Sequence, residues 1–242
     1  MSVERNDVDI SKLFRWGNKF NIIGRNGEVV TEVYIRLVGD AELNRSRVMA
    51  IRGSAELRKK LKEKDTDERL AFIPEFADIG REMAEQTLLL LYTRIFGQQA
   101  TREVDLPYPV EPKSDASLED QEKYQAEVDS FPERREQKVK EFIIKKLLEK
   151  EDELKTKSDE FIAREYERIL INDLCEQEMI RLFRDHNIYL GSYSDQNFKQ
   201  KLFGSFDEFV NLPTEIKQQF IDYYQSLEIS VDFLKGSQGA TQ

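Results

Sequence analysis

The sequence has 242 residues, 39% of them hydrophobic and 35% charged, where ordinary globular proteins have about 45–50% and 25%. Its net charge of −10 repels nucleic acid and anionic membranes as a whole, and no apolar run is long enough to span a bilayer. A single cysteine, Cys175, and a single histidine, His186, exclude an internal disulfide, a histidine-rich metal site and a zinc-spaced cluster. Low cysteine use and the absence of a signal-peptide pattern give the expectation of a cytoplasmic setting.

In chain order, Met1–Asp9 is polar, and Ile10, Leu13, Phe14 and Trp16 form a short apolar cluster. Lys19–Gly24 and Glu28–Val38 carry the strongest strand signal, with Asn26-Gly27 supplying the positive φ angles of a tight hairpin. Val29, Thr31, Val33, Ile35 and Leu37 should face the core. A lone hairpin is marginal in water, so this one must pack on a helix or pair with another chain, as it would in an adaptor subunit. Asp40 is read as the N-cap of a helix running to about Lys64, with Leu43, Val48, Ile51, Ala55 and Leu57 on its buried face. Between Asn44 and Lys64 there are eight basic and two acidic residues, the main charge asymmetry of an acidic chain. Arg45, Arg47, Arg52, Arg58 and Lys59 are therefore candidate partner-binding residues. The same pattern also suits a helix that compensates acidic neighbours, and the lack of interleaved aromatics argues against nucleic acid.

Asp65–Glu68 opens another helix, with acids at the positive end of its dipole. Pro74 should bend it and Gly97 should end it. Three prolines within six residues (Pro107, Pro109 and Pro112) then mark a linker, followed by an acidic stretch with a short or marginal helix. Pro132 to His186 has no glycine and places its only proline first, where a missing N–H costs nothing. It reads as one helix of roughly 50 residues or two meeting near Ser158. Leu147, Leu154 and Phe161 keep a seven-residue step, a short coiled-coil signal. Eleven acids and eleven bases between Glu133 and Arg168 describe a solvated helix face or a dimer seam.

Beyond it, Asn187–Asn197 reads as a turn, and Asp195 as the cap of a helix holding Phe198, Leu202 and Phe203. Ser205 and Glu208 have capping-box spacing, and Pro213 starts a last helix. The aromatics Phe206, Phe209, Phe220 and Tyr224 form either a compact helical core or a groove for a partner peptide. The expected fold is mainly α: an extended helical protein with one long helix or helix pair and a small N-terminal β-hairpin. Its expected parts are 1–97 (hairpin and helices), 98–131 (Pro-rich acidic linker), 132–235 (long helix and short-helix module) and 236–242 (a disordered tail).

No phosphate-loop, dinucleotide or HExxH motif occurs, and no catalytic residue, metal ligand or cofactor is assigned. Two stretches, Glu32–Lys60 and Phe206–Glu228, resemble the tail assembly chaperones and accessory proteins of tailed bacteriophages. The resemblance implies an acidic, helical, non-enzymatic protein of the host cytoplasm that keeps a tape-measure or tail-tube protein soluble before assembly. A structural or adaptor subunit, a homo-oligomer, and a regulator contacting nucleic acid through 44–64 are the alternatives.

Overall fold

The computed structural model describes residues 17–113 and 116–238. The apolar cluster before Gly17 lies outside them. Among the described residues there are seven helices and one three-stranded antiparallel sheet, so the protein is mainly α. The chain divides into two compact units, Met1–Leu57 with Cys175–Gln242, and Arg58–Leu174. The two ends of the chain thus build one unit and its middle the other, whereas the sequence suggested parts that succeed one another.

In the first unit, β1 (Gly17–Ile23) pairs antiparallel with β2 (Val29–Arg36), joined by a tight turn over Gly24–Glu28. A bulge falls between Ile22 and Ile23. The hairpin finds its third strand inside the chain, as Tyr34 and Ile35 pair with Tyr193 and Ser192 of β3 (Ser192–Tyr193). The expected inner face holds where the strands are covered: Val33 and Ile35 are fully buried, but Val29 at the tip is 54% exposed. The helix α1 (Asp40–Lys62) begins one residue earlier in effect than expected. Gly39 caps it, its carbonyl accepting from Glu42 and Leu43, while the Glu42 carboxylate accepts from the Gly39 N–H.

The second unit contains α2 (Asp67–Phe72), α3 (Phe76–Glu103) and α4 (Leu118–Lys155). Thr66 caps α2, its hydroxyl accepting from the Arg69 N–H. Pro74 lies between α2 and α3, and the bend falls instead at Gly80, whose φ of 73° is left-handed. Gly97 does not stop α3, which runs on to Glu103. The helix α4 starts at Leu118, capped by Ser117, so among the described residues only 104–113 and 116–117 separate α3 from α4. Pro132 is thus inside a helix and not at its start. The Arg134 guanidinium donates to the Glu127 carbonyl (3.0 Å), which lies in the turn the proline disrupts.

The long helical stretch is two helices, α4 and α5 (Asp159–Gly191). Ser158 caps the second, accepting from the Phe161 N–H. Arg81 holds the corner, donating to the Leu154 and Lys157 carbonyls and pairing with Asp159 at 2.7 Å. This break ends the seven-residue seam, and Leu154 fills the core with Ala84, Leu88, Leu91, Tyr92, Ile162, Tyr166 and Ile169.

The helix α5 continues through Asn187–Gly191, where the sequence suggested a turn, and β3 follows directly. No helix forms around Phe198, whose φ is +53°. Asp195 gathers a turn instead, accepting from the N–H groups of Asn197, Lys199 and Gln200. Ser205 caps α6 (Phe206–Val210), and α7 (Thr214–Gln238) includes three residues of the expected tail. Side chains of α7 cover the outer edge of β1. Gln219 exchanges two 2.9 Å hydrogen bonds with the Ile23 backbone, and the Tyr223 hydroxyl reaches the Lys19 carbonyl.

Candidate protein-binding faces

The aromatic candidates separate by burial. Phe209, Phe220 and Tyr224 are 0–2% exposed and sit in the first unit's core with Ile22, Val33, Ile35 and Ile188. Phe206 is half-buried and packs edge-on to His186. Phe209 and Phe220 meet edge-to-face at 5.9 Å and 89°, a geometry aromatic quadrupoles favour. Phe209, Phe220 and Tyr224 are thus core residues, and of the four only Phe206 keeps part of its ring at the surface. The reason is local: the Ser205 cap turns α6 so that Phe209 points back onto α7.

The basic candidates divide as well. Arg45, Arg47, Arg52 and Lys59 are exposed, but Arg58 is half-buried and donates to Asn172 Oδ1 at 2.7 Å. The apolar face expected for α1 is covered only in part, with Leu43 and Leu57 half-buried. Val48 and Ile51 are 49% and 52% exposed, and Ala55 is exposed too. Small residues are buried in their place. In the first unit, Ser46 and Ala50 are 0–1% exposed, Ser54 donates to the Cys175 carbonyl (2.8 Å), and Ser46 Oγ lies 2.9 Å from His186 Nδ1. A Cβ on Gly53 would lie 2.3 Å from Leu182, so α1 approaches α5 more closely than a larger face allows.

His186 is inside α5, not at a helix end, and burial pushes its imidazole below the ordinary value. It shares a hydrogen bond with Ser46, but the neighbouring Asp185 carboxylate is turned elsewhere. It is fully buried and held by Lys217 (2.7 Å), Arg184 (2.9 Å) and Arg181 (3.3 Å). With Ser46 fully buried, no substrate reaches that hydroxyl. Among the described residues, no group of three or more His, Cys, Asp or Glu side chains is placed to hold a metal ion. Also among them, no helix is long and apolar enough to cross a membrane.

A third face was not read from the sequence. In the second unit, α3 and α4 leave an open groove of about 570 Å3 lined by Leu89, Leu90, Ile144, Leu147 and Leu148. Gln86, Thr93 and Glu151 complete its lining. Leu90, Ile144 and Leu148 are 72%, 57% and 56% exposed. The signal was present as Leu88–Leu91, a run apolar on every side of the helix, and as Ile143-Ile144 with Leu147-Leu148 on α4. Each helix carries more aliphatic surface than its neighbours cover. Compared with known proteins, the chain matches no family model, no curated protein and no solved structure.

Proposed function

We propose that the protein is a non-enzymatic protein-binding factor, a tail assembly chaperone that keeps a tape-measure or tail-tube protein of a tailed phage soluble in the host cytoplasm. The observation that supports this reading is the groove between α3 and α4. Its length of aliphatic side chain suits the apolar stripe of a client helix, the recognition mode in which i, i+3, i+4 and i+7 anchors enter a hydrophobic groove. The high charge elsewhere suits a protein that must hold an insoluble client in solution. The adaptor reading relied on the hairpin pairing with neighbouring chains, but β2 pairs with β3 and Gln219 occupies part of the β1 edge.

The test is affinity capture from the native host, followed by co-expression with what is recovered. The reading expects a tail protein in near-stoichiometric amount, insoluble alone and soluble beside this chain. Leu90→Asp and Leu148→Asp should abolish the rescue while leaving the circular dichroism unchanged, since both side chains are exposed. Recovery of components of the finished virion that need no solubilisation would make it a structural subunit instead.

A further inference from the structure

We infer that the exposed face of α1 in the first unit is a seat for an acidic amphipathic helix of a partner protein. Ala41, Val48 and Ala55 follow one another at seven-residue steps, and Asn44 and Ile51 occupy the alternate positions. All five are exposed. This is the seam of a helix pair, with small and branched apolar residues and one polar residue able to set register. The flanks are mainly basic, with Asp40 at the start of the helix the one exposed acid among them. Arg45 and Arg52 follow the seam on one side and Arg47 lies on the other, all exposed. Among the described residues none of these three arginines is in an ion pair, and Arg47 reaches only Asn44 of its own helix (3.5 Å).

Flanking charges select the partner of a helical seam. A second copy of this face is a poor occupant. An antiparallel pair would set Arg45 and Arg52 against the same residues, and a parallel pair would set Arg52 against Arg47, cancelling the one attraction it gains between Asp40 and Arg45. A nucleic acid is a poor occupant too, because phosphate contacts leave the central Val48 and Ile51 in water and the chain's net charge is −10. A helix with aliphatic seam residues and Glu or Asp flanks satisfies both the apolar stripe and the arginines. The opposite side of α1 is fixed by Ser46, Ala50 and Ser54 against α5, so the seat is rigid before any partner arrives.

The experiment titrates the full-length protein with a synthetic three-heptad peptide bearing Leu at both seam positions and Glu on the flanks, and with its twin bearing Lys on the flanks. The acidic peptide should bind at least about tenfold tighter than the basic one, with affinity falling as salt rises. Arg45→Glu with Arg52→Glu should reverse that preference, and Val48→Asp should abolish binding of both peptides. These side chains are exposed, so folding is retained and is verified by circular dichroism. Leu90→Asp should leave peptide binding unchanged, which separates this seat from the groove proposed for the client. Equal binding of the two peptides, no binding of either, or a preference that the double variant does not reverse would overturn the inference. So would self-association that Val48→Asp removes, or binding of duplex DNA that Arg45→Glu/Arg52→Glu abolishes and Val48→Asp leaves intact.

Discussion

Asp185 is the residue on which the first unit's polar interior turns. Its carboxylate has no exposure and binds three cations, of which Lys217 of α7 is itself only 16% exposed. Removing the carboxylate leaves a buried ammonium without its partner, which costs more than the pair contributes. Asp185→Ala should therefore destabilise the protein by about 3–5 kcal/mol in urea denaturation. Lys217→Met should cost less, because Arg181 and Arg184 still serve the carboxylate. Glu42 carries a different kind of dependence. Burial alone would raise its carboxyl, but the two hydrogen bonds from Arg36 (2.8 and 2.9 Å) and one from Gly39 outweigh it and hold it below the usual range. A depressed folded value contributes stability that is complete above the unfolded value, about 4.3, and lost as pH falls through the folded one. Glu42→Gln should flatten that part of the acid limb below about pH 5 in denaturation midpoints, while leaving the neutral-pH slope unchanged.

At the scale of elements, α1 shows what a sequence can hide. Hydrophobicity points to Val48, Ile51 and Ala55 as part of the buried face, and the structure buries Ser46 and Ala50 and half-buries Ser54. Small side chains allow closer helix contact, and their hydroxyls satisfy themselves on the neighbouring backbone and ring. No periodicity of apolar residues reveals this, because the buried stripe is barely apolar. By contrast the hairpin and the Ser205 cap were legible, and the break at Ser158 was one of two readings left open, since each is dictated by residues within a few positions of one another. The two-residue β3 was not, because a strand that short exists only through its pairing with distant β2. The start of α4 was hidden by Pro132, which marks an N-terminus in most helices and sits inside this one. The groove was half legible: its leucines were apparent, but not that they remain uncovered. The two glycines of α3 make a test of this local reading. Gly97→Ala meets no atom within 4 Å and should stabilise by about 0.5–1 kcal/mol through helix propensity. Gly80→Ala forces a Cβ into a left-handed conformation and should destabilise by about 1 kcal/mol or more. Thermal melts of the two variants should move in opposite directions.

For the molecule as a whole, the division of the chain has kinetic content. The second unit is one contiguous segment, and the first is assembled from both ends. Contacts between distant positions are slow to form because the loop must close before they are rewarded. Pulse-labelled hydrogen exchange during refolding should protect the amides of Leu88–Tyr92 and Ile162–Ile169 before those of Val33 and Ile35. Simultaneous protection would mean that the two units fold as one cooperative block.

On the ribosome the same arrangement becomes a matter of waiting. Arg36 and its hydrogen-bond partner Tyr193 are 157 positions apart, a stretch that takes roughly ten to thirty seconds to synthesise at about 5–20 residues per second. Through that interval the β2 edge has no third strand, and on a polysome it faces identical edges on neighbouring nascent chains. Arg36 is not idle meanwhile. Glu42 leaves the exit tunnel only six residues after it, so the carboxylate can hold the end of the strand against the start of α1 until β3 arrives.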